Sequence, residues 1–204
     1  MAHIPINETT QLTHLPFDEA FREAEATQPP GWLFVPPFYA EYRYILGTTG
    51  KKPLICVGIN PSTAAPDALD NTLKSVNRIR TVNGFDSFLM LNLYPQRATS
   101  PNHLDYFFNL SLHKENLKAL QYCLSLCGDY PTLWVAWGTV VEKRPYLSAC
   151  LIDFVDIAKA MHAQFVCAGK ITKAGHPHHP LYLRKDEPLY PFDMNQYLEK
   201  FRKN

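Results

Sequence analysis

The chain has no apolar run approaching the roughly 18 to 20 residues needed to span a bilayer. Its longest, residues 88–93, contains Asn92, so no membrane partner is expected. The opening MAHIPINETT lacks the basic start and apolar stretch of a secretory signal, and a cytoplasmic protein is expected. An excess of one charge is missing too: 20 Lys and Arg stand against 19 Asp and Glu, for a net charge of +1. Duplex binders gain affinity by neutralising phosphates and carry a basic footprint. Here only Lys170, Lys173, Arg184 and Lys185 gather, around one loop. That counts against a high-affinity DNA binder but leaves room for an enzyme that reads one nucleotide. The five cysteines (Cys56, Cys123, Cys127, Cys150, Cys167) form no CxxC pair and are odd in number. Neither zinc nor an iron–sulfur cluster finds its usual ligand spacing, so no cofactor is expected and all five are read as reduced. GxSxG, Walker and GxGxxG motifs are also absent, which removes the usual signals of serine hydrolases, P-loop enzymes and dinucleotide binders.

What is present is a chain of 204 residues, 46% of them hydrophobic, enough for one generous core. Residues 1–40 read as an N-terminal extension packed on that core. They hold a short helix over 17–26, followed by prolines 29, 30, 36 and 37 that break regularity around 31–39. Residues 41–204 read as a single α/β domain. Residues 42–46 predict an edge strand. The continuous apolar runs 54–59, 87–93, 132–137 and 164–168 predict four strands buried on both faces. Helical stretches fall between them at 67–80, 104–126 and 142–161, the last with a possible break at Pro145, and 188–200 closes the chain with Asp193 as a possible cap. The expected architecture is a three-layer sandwich: a central, mostly parallel four-stranded sheet flanked by helices. Ligands of such sheets bind beyond the carboxyl ends of the strands.

Turn-forming polar clusters fall at those ends. After the first buried strand come Gly58, Asn60, Pro61, Ser62 and Thr63, then Asp70 and Thr72. Gly58 permits close backbone approach, and Pro61 holds Asn60 extended. An amide so held can orient a water or read a carbonyl–imide edge, with Asp70 as base or helix cap. Otherwise this is an ordinary strand-to-helix turn with Ser62 or Thr63 as N-cap. After the second strand, Asn92 and Arg97 bracket a Tyr-Pro turn. Arg97 suits a phosphate clamp, or else pairs with a carboxylate. Trp137-Gly138 ends the third strand. After the fourth comes Gly175-His176-Pro177-His178-His179-Pro180-Leu181-Tyr182-Leu183. Its prolines force extended backbone and spread the histidines, so no metal site is expected. His179 reads instead as a donor aimed at developing negative charge.

Asn60-Pro61-Ser62-Thr63-Ala64, Asp70-x-Thr72, Asn92-Leu93, Trp137-Gly138 and Gly175-x-Pro177-x-His179-Pro180-Leu181-Tyr182-Leu183 together resemble a bacterial and phage family, domain of unknown function sixteen-forty-three. The likeness covers about residues 42–184, and the family name carries no activity. More remotely, the order of motifs is similar to the uracil-DNA glycosylase superfamily. There a Gly-x-Asp/Asn-Pro turn positions the hydrolytic water, and a His-Pro-Ser loop offers its His to the base carbonyl and wedges the duplex. Gly58-Ile59-Asn60-Pro61 is similar to the mismatch-specific branch, and His179-Pro180-Leu181-Tyr182-Leu183 to the loop of the iron–sulfur branch. This chain departs by Leu181 in place of the phosphate-contacting Ser, by lacking the cluster cysteines, a clear base-stacking Phe after Pro61 and Asp at the water site.

The resemblance implies a uracil-DNA-glycosylase-like hydrolase acting on the N-glycosidic bond of a base in DNA or a nucleotide. Asn60 would hold the water, Asp70 assist, and His179 stabilise the departing base. Tyr182 or Leu183 would wedge, and Arg97, Lys173 and Arg184 would contact phosphates. Gly58, Pro61, Ser62, Thr63, Thr72, Asn92, Gly138, Gly175 and Pro180 complete the expected binding surface. The alternative is a non-catalytic module for a nucleobase, nucleotide or modified DNA, favoured by the near-neutral charge. A third option, a metal-dependent hydrolase on His176, His178 and His179, is the weakest. The sequence carries no signal of oligomeric state.

Overall fold

Successive residues of a strand face opposite sides of a sheet, so a wholly apolar strand needs cover on both. Strands β3 (Pro53–Gly58) and β4 (Ser87–Asn92) are buried throughout. Ile55, Val57, Leu89 and Leu91 enter one core cluster, and Leu54, Cys56, Phe88 and Met90 enter the other. In β5 (Thr132–Val135), Leu133 and Val135 divide from Trp134 in the same way. The computed structural model describes residues 12–202, and its sheet also contains β1 (Trp32–Val35), β2 (Ile45–Thr48), β6 (Gln164–Ala168) and β7 (Leu189–Pro191).

The sheet has seven strands in the order β1-β2-β4-β3-β5-β6-β7. The expectation of a four-stranded, mostly parallel sheet is corrected accordingly. β4, β3, β5 and β6 pair parallel, while β1–β2, β2–β4 and β6–β7 are antiparallel, so the sheet is mixed. The added strands are short and hide among prolines. β1 lies between two proline pairs that break regularity only at its ends, and β7 finishes on Pro191, which sheet edges tolerate. The strand expected over 42–46 runs instead over Ile45–Thr48. It is no edge, since β1 covers its outer side.

Helix α1 (Phe17–Thr27) sits near its expected place, and the Phe17 ring packs against Tyr44 and Tyr122. Residues 12–40 therefore supply a helix and a strand to the fold, while residues 1–11 lie outside the described residues. α2 (Asn71–Val82) starts later than expected because Asp70 caps it, accepting from the Leu73 N–H at 2.8 Å. α3 (Leu110–Ser125) starts at its Asn109 cap, and α4 (Pro145–Ala160) has Pro145 in its first turn rather than breaking there. α5 (Met194–Arg202) follows Asp193, which accepts from the Gln196 N–H at 3.0 Å.

Right-handed crossovers place helices on opposite faces when the chain steps in opposite directions. The step from β3 out to β4 puts α2 over one face, whose core holds Leu73, Val76 and Ile79. The steps back to β5 and on to β6 put α3 and α4 over the other, with α1 and α5 beside them. The direction changes between the adjacent strands β3 and β5, where a crevice opens beyond the strand ends.

Candidate functional site

The first wall of that crevice is the turn after β3. It is stitched to the segment after β4, since the N–H groups of Leu93, Tyr94 and Ala98 donate to the carbonyls of Gly58, Ile59 and Pro61 at 3.0, 2.9 and 2.9 Å. Asn60 Nδ2 donates to the Ala98 carbonyl at 2.8 Å and the Pro61 carbonyl at 3.1 Å. Both amide hydrogens are thus committed, and Oδ1 is left for a water or ligand. Gly58 serves space. A Cβ there would stand 2.8 Å from Met90 Cε and 2.9 Å from Asn92 Oδ1.

Asn92 ends β4 at 1% exposure, its carbonyl accepting from Asn116 Nδ2 at 2.8 Å. Its own Nδ2 has no hydrogen-bond partner among the described residues. On the next side, Asp70 uses Oδ1 as the α2 cap. After β5 the chain passes Trp137 and turns at Gly138, whose φ of 62° suits glycine. A Cβ at Gly138 would lie 3.7 Å from that of His179, so the two segments touch closely.

The loop that carries His179 is pinned from both faces of the sheet. From α2, Ser75 Oγ donates to the Pro180 carbonyl at 2.7 Å, and Arg78 Nε to the Lys185 carbonyl at 3.2 Å. From α5, the Tyr197 hydroxyl meets His176 Nδ1 at 2.7 Å while accepting from Trp137 Nε1 at 2.8 Å. His176 Nε2 completes the chain on Glu142 Oε1 at 3.0 Å. His179 itself is half-buried, and its Nδ1 accepts from the Leu181 N–H at 3.3 Å, which leaves the hydrogen on Nε2. Burial pushes its pKa below the usual histidine value, with the Asp70 charge opposing. At neutral pH it is an uncharged donor.

These walls surround a cavity of about 650 Å³, a size usual for small-molecule sites. Of the residues expected from sequence, Asn60, Pro61, Ser62, Asp70, Thr72, Asn92, Gly138, His179 and Tyr182 line it together. Tyr182 stands 79% exposed, whereas Leu183 is tucked against Gly169 and the α2-side core.

Gly58, Thr63, Arg97, Lys173, Gly175, Pro180 and Arg184 are not among the lining residues. Arg97 is no surface clamp, and it pairs with no carboxylate among the described residues. It is 1% exposed, donates to the Ser62 and Ala64 carbonyls and stacks on Tyr39, while its backbone N–H donates to the Glu41 carbonyl. Ser62 and Thr63 do not cap α2; Asp70 does. Lys173 is exposed, and Arg184 pairs at the surface with Asp186 at 3.6 Å. Gly175 lies in a separate hollow beside Tyr197 and Lys200. His176 is committed to Tyr197 and Glu142, and no metal-binding group of three or more His, Cys, Asp or Glu occurs among the described residues. The five cysteines are free thiols, and burial raises the pKa of each.

Sequence reasoning missed Arg43. It lines the cavity at 2% exposure, with Nη1 donating to the Ala64 carbonyl at 3.0 Å. Its signal was a charge inside the apolar stretch Tyr42–Ile45, a pattern that asks for a special partner. The Trp137–Tyr197–His176–Glu142 chain was missed as well, and nothing in the spacing of those residues announces it.

Fold and site define an α/β domain with a cavity at the switch point of its parallel strands. The chain belongs to the family described as Protein of unknown function (DUF1643), which matches residues 43–181. No curated protein and no solved structure matches the chain significantly. No helix among the described residues is long and apolar enough to cross a membrane.

Proposed function

We propose that the domain is of the uracil-DNA-glycosylase-like architecture and hydrolyses the N-glycosidic bond of a base in DNA or a nucleotide. One observation carries the reading: Asn60 and His179, far apart in sequence, line one cavity, with Asn60 Oδ1 open as acceptor and His179 Nε2–H as neutral donor. The water sits on Asn60 Oδ1 and adds to the anomeric carbon. The C–N bond breaks, its electron pair passes to the base, and His179 Nε2–H supports the charge growing on the base carbonyl. The free Asp70 oxygen takes the proton released by the water, and solvent protonates the base. Tyr182, on the rim, offers a ring for stacking or wedging.

The test incubates the pure protein with uracil-, hypoxanthine- and mismatch-containing oligonucleotides and with free nucleotides, and measures released base. Release that falls roughly 100-fold in Asn60→Ala and His179→Ala supports the mechanism, that being the usual loss of one preorganised donor. No release from any substrate sinks it. One feature favours a non-catalytic module for the same ligands: Asp70 is already engaged as a helix cap. Ligand-induced thermal stabilisation without turnover would establish that module.

A further inference from the structure

Buried donors without acceptors show where a ligand's acceptors belong. Among the described residues, seven buried side-chain atoms lack a hydrogen-bond partner: Arg43 Nε, Asn92 Nδ2 and single atoms of Gln96, Arg97, His113, Asn116 and Trp134. Of these residues only Arg43 and Asn92 line the cavity. Their unpartnered atoms, Arg43 Nε and Asn92 Nδ2, are donors lying just beneath the cavity surface, and Arg43 brings a full charge.

Among the described residues Arg43 forms no salt bridge, and its side chain donates to the Ala64 carbonyl. Burial and the neighbouring Arg97 charge push its pKa down to about 9, with Asp70 opposing, so the guanidinium stays charged at neutral pH. A buried cation beside a second cation, facing a cavity, is relieved by an anion. With Nη1 engaged on Ala64, the planar fork that remains suits an oxyanion.

We propose that the wall formed by Arg43 and Asn92 is an oxyanion subsite, and that the ligand it takes is a nucleotide bearing a terminal phosphate monoester. The phosphate accepts from the Arg43 guanidinium, and a turn of the Asn92 amide brings Nδ2, closed to solvent as it stands, to a second oxygen. At 2% exposure Arg43 is reached by a chain end, whereas the phosphodiester of a duplex would have to carry both neighbouring sugars inside. The nucleotide identity rests on the base-recognising reading above; the oxyanion subsite does not.

The experiment titrates the full chain by calorimetry with inorganic phosphate, acetate, a nucleoside and its 5′-monophosphate. The monophosphate is expected to bind at least about tenfold tighter than the nucleoside, as a charge-assisted fork contact allows, and inorganic phosphate should compete with it. Arg43→Met should erase the difference and Arg43→Lys retain part of it, with the circular dichroism of both variants as wild type. Should Arg43→Met fail to fold, competition by phosphate on the wild type decides. Equal affinity for nucleoside and monophosphate, no competition by phosphate, or stabilisation by acetate alone overturns the proposal. Phosphate competition with every N-glycosidic bond left intact keeps the subsite and sinks the hydrolase. Equal cleavage of nucleoside and monophosphate does the reverse.

Discussion

Arg144 and Arg43 are both buried, at 7% and 2% exposure, yet their surroundings are opposite. Arg144 donates to the carbonyls of Asn102, Leu104, Asp105 and Lys143 and stacks on Tyr106, with its centre 4.3 Å from the ring. It is a bracket, holding the 101–106 loop to the start of α4. Arg43 has one carbonyl, a repelling arginine, the charge of Asp70 without a salt bridge to it, and a cavity. The same side chain therefore closes a structure in one place and leaves a demand open in the other. The loop after β6 repeats the lesson within four residues. His176 has both ring nitrogens engaged, and His179 keeps Nε2–H for the cavity.

The largest way to break the first comparison is Arg144→Met. Four carbonyls lose their donor, and a loss of about 4 kcal/mol is expected in urea unfolding. Arg43→Met removes a buried charge that no salt bridge among the described residues balances, and should stay within about 1 kcal/mol of wild type. Equal losses would make Arg43 a bracket too.

For the histidines, the proposed hydrolysis predicts that His179→Ala cuts base release roughly 100-fold. Its unfolding midpoint should barely move, by the equivalent of about 0.5 kcal/mol or less. His176→Ala should instead cost about 2 kcal/mol, because the Tyr197 hydroxyl and Glu142 both lose a buried partner.

A smaller effect is in pH. Burial lowers the pKa of His113, His176 and His179 below the usual 6.5, Asp153, Glu142 and Asp70 respectively opposing it. The unfolded chain then binds protons that the folded one refuses, so stability is full above about pH 6.5 and falls as pH drops toward the folded values. His113→Gln should flatten that slope in unfolding curves measured between about pH 6.5 and 5. The smallest change is Tyr182→Ala. The exposed ring should alter stability by less than about 0.5 kcal/mol, while weakening ligand binding at the rim.

Much of this was legible in the chain. The runs at 54–59 and 87–93 could only be strands covered on both faces, and the Asn-Pro and His-Pro turns declared themselves at the strand ends. β1 and β7 were not legible, because four residues between prolines and three ending on Pro191 carry no two-sided pattern. Arg97 looked like a phosphate contact because a sequence shows a charge but not its depth. Arg43 stood as a charge within an apolar stretch, which signals burial but not the cavity it lines.

By itself the sequence determined the central strands, the helices between them and the end of the sheet where polar turns gather, because hydrophobic periodicity and proline stiffness act within a few residues. Only tertiary structure decided which of two buried arginines faces a cavity and which of two neighbouring histidines is spoken for. Those outcomes depend on hydrogen-bond partners such as Ala64, Tyr197 and Glu142, which folding brings from distant segments and no local pattern specifies.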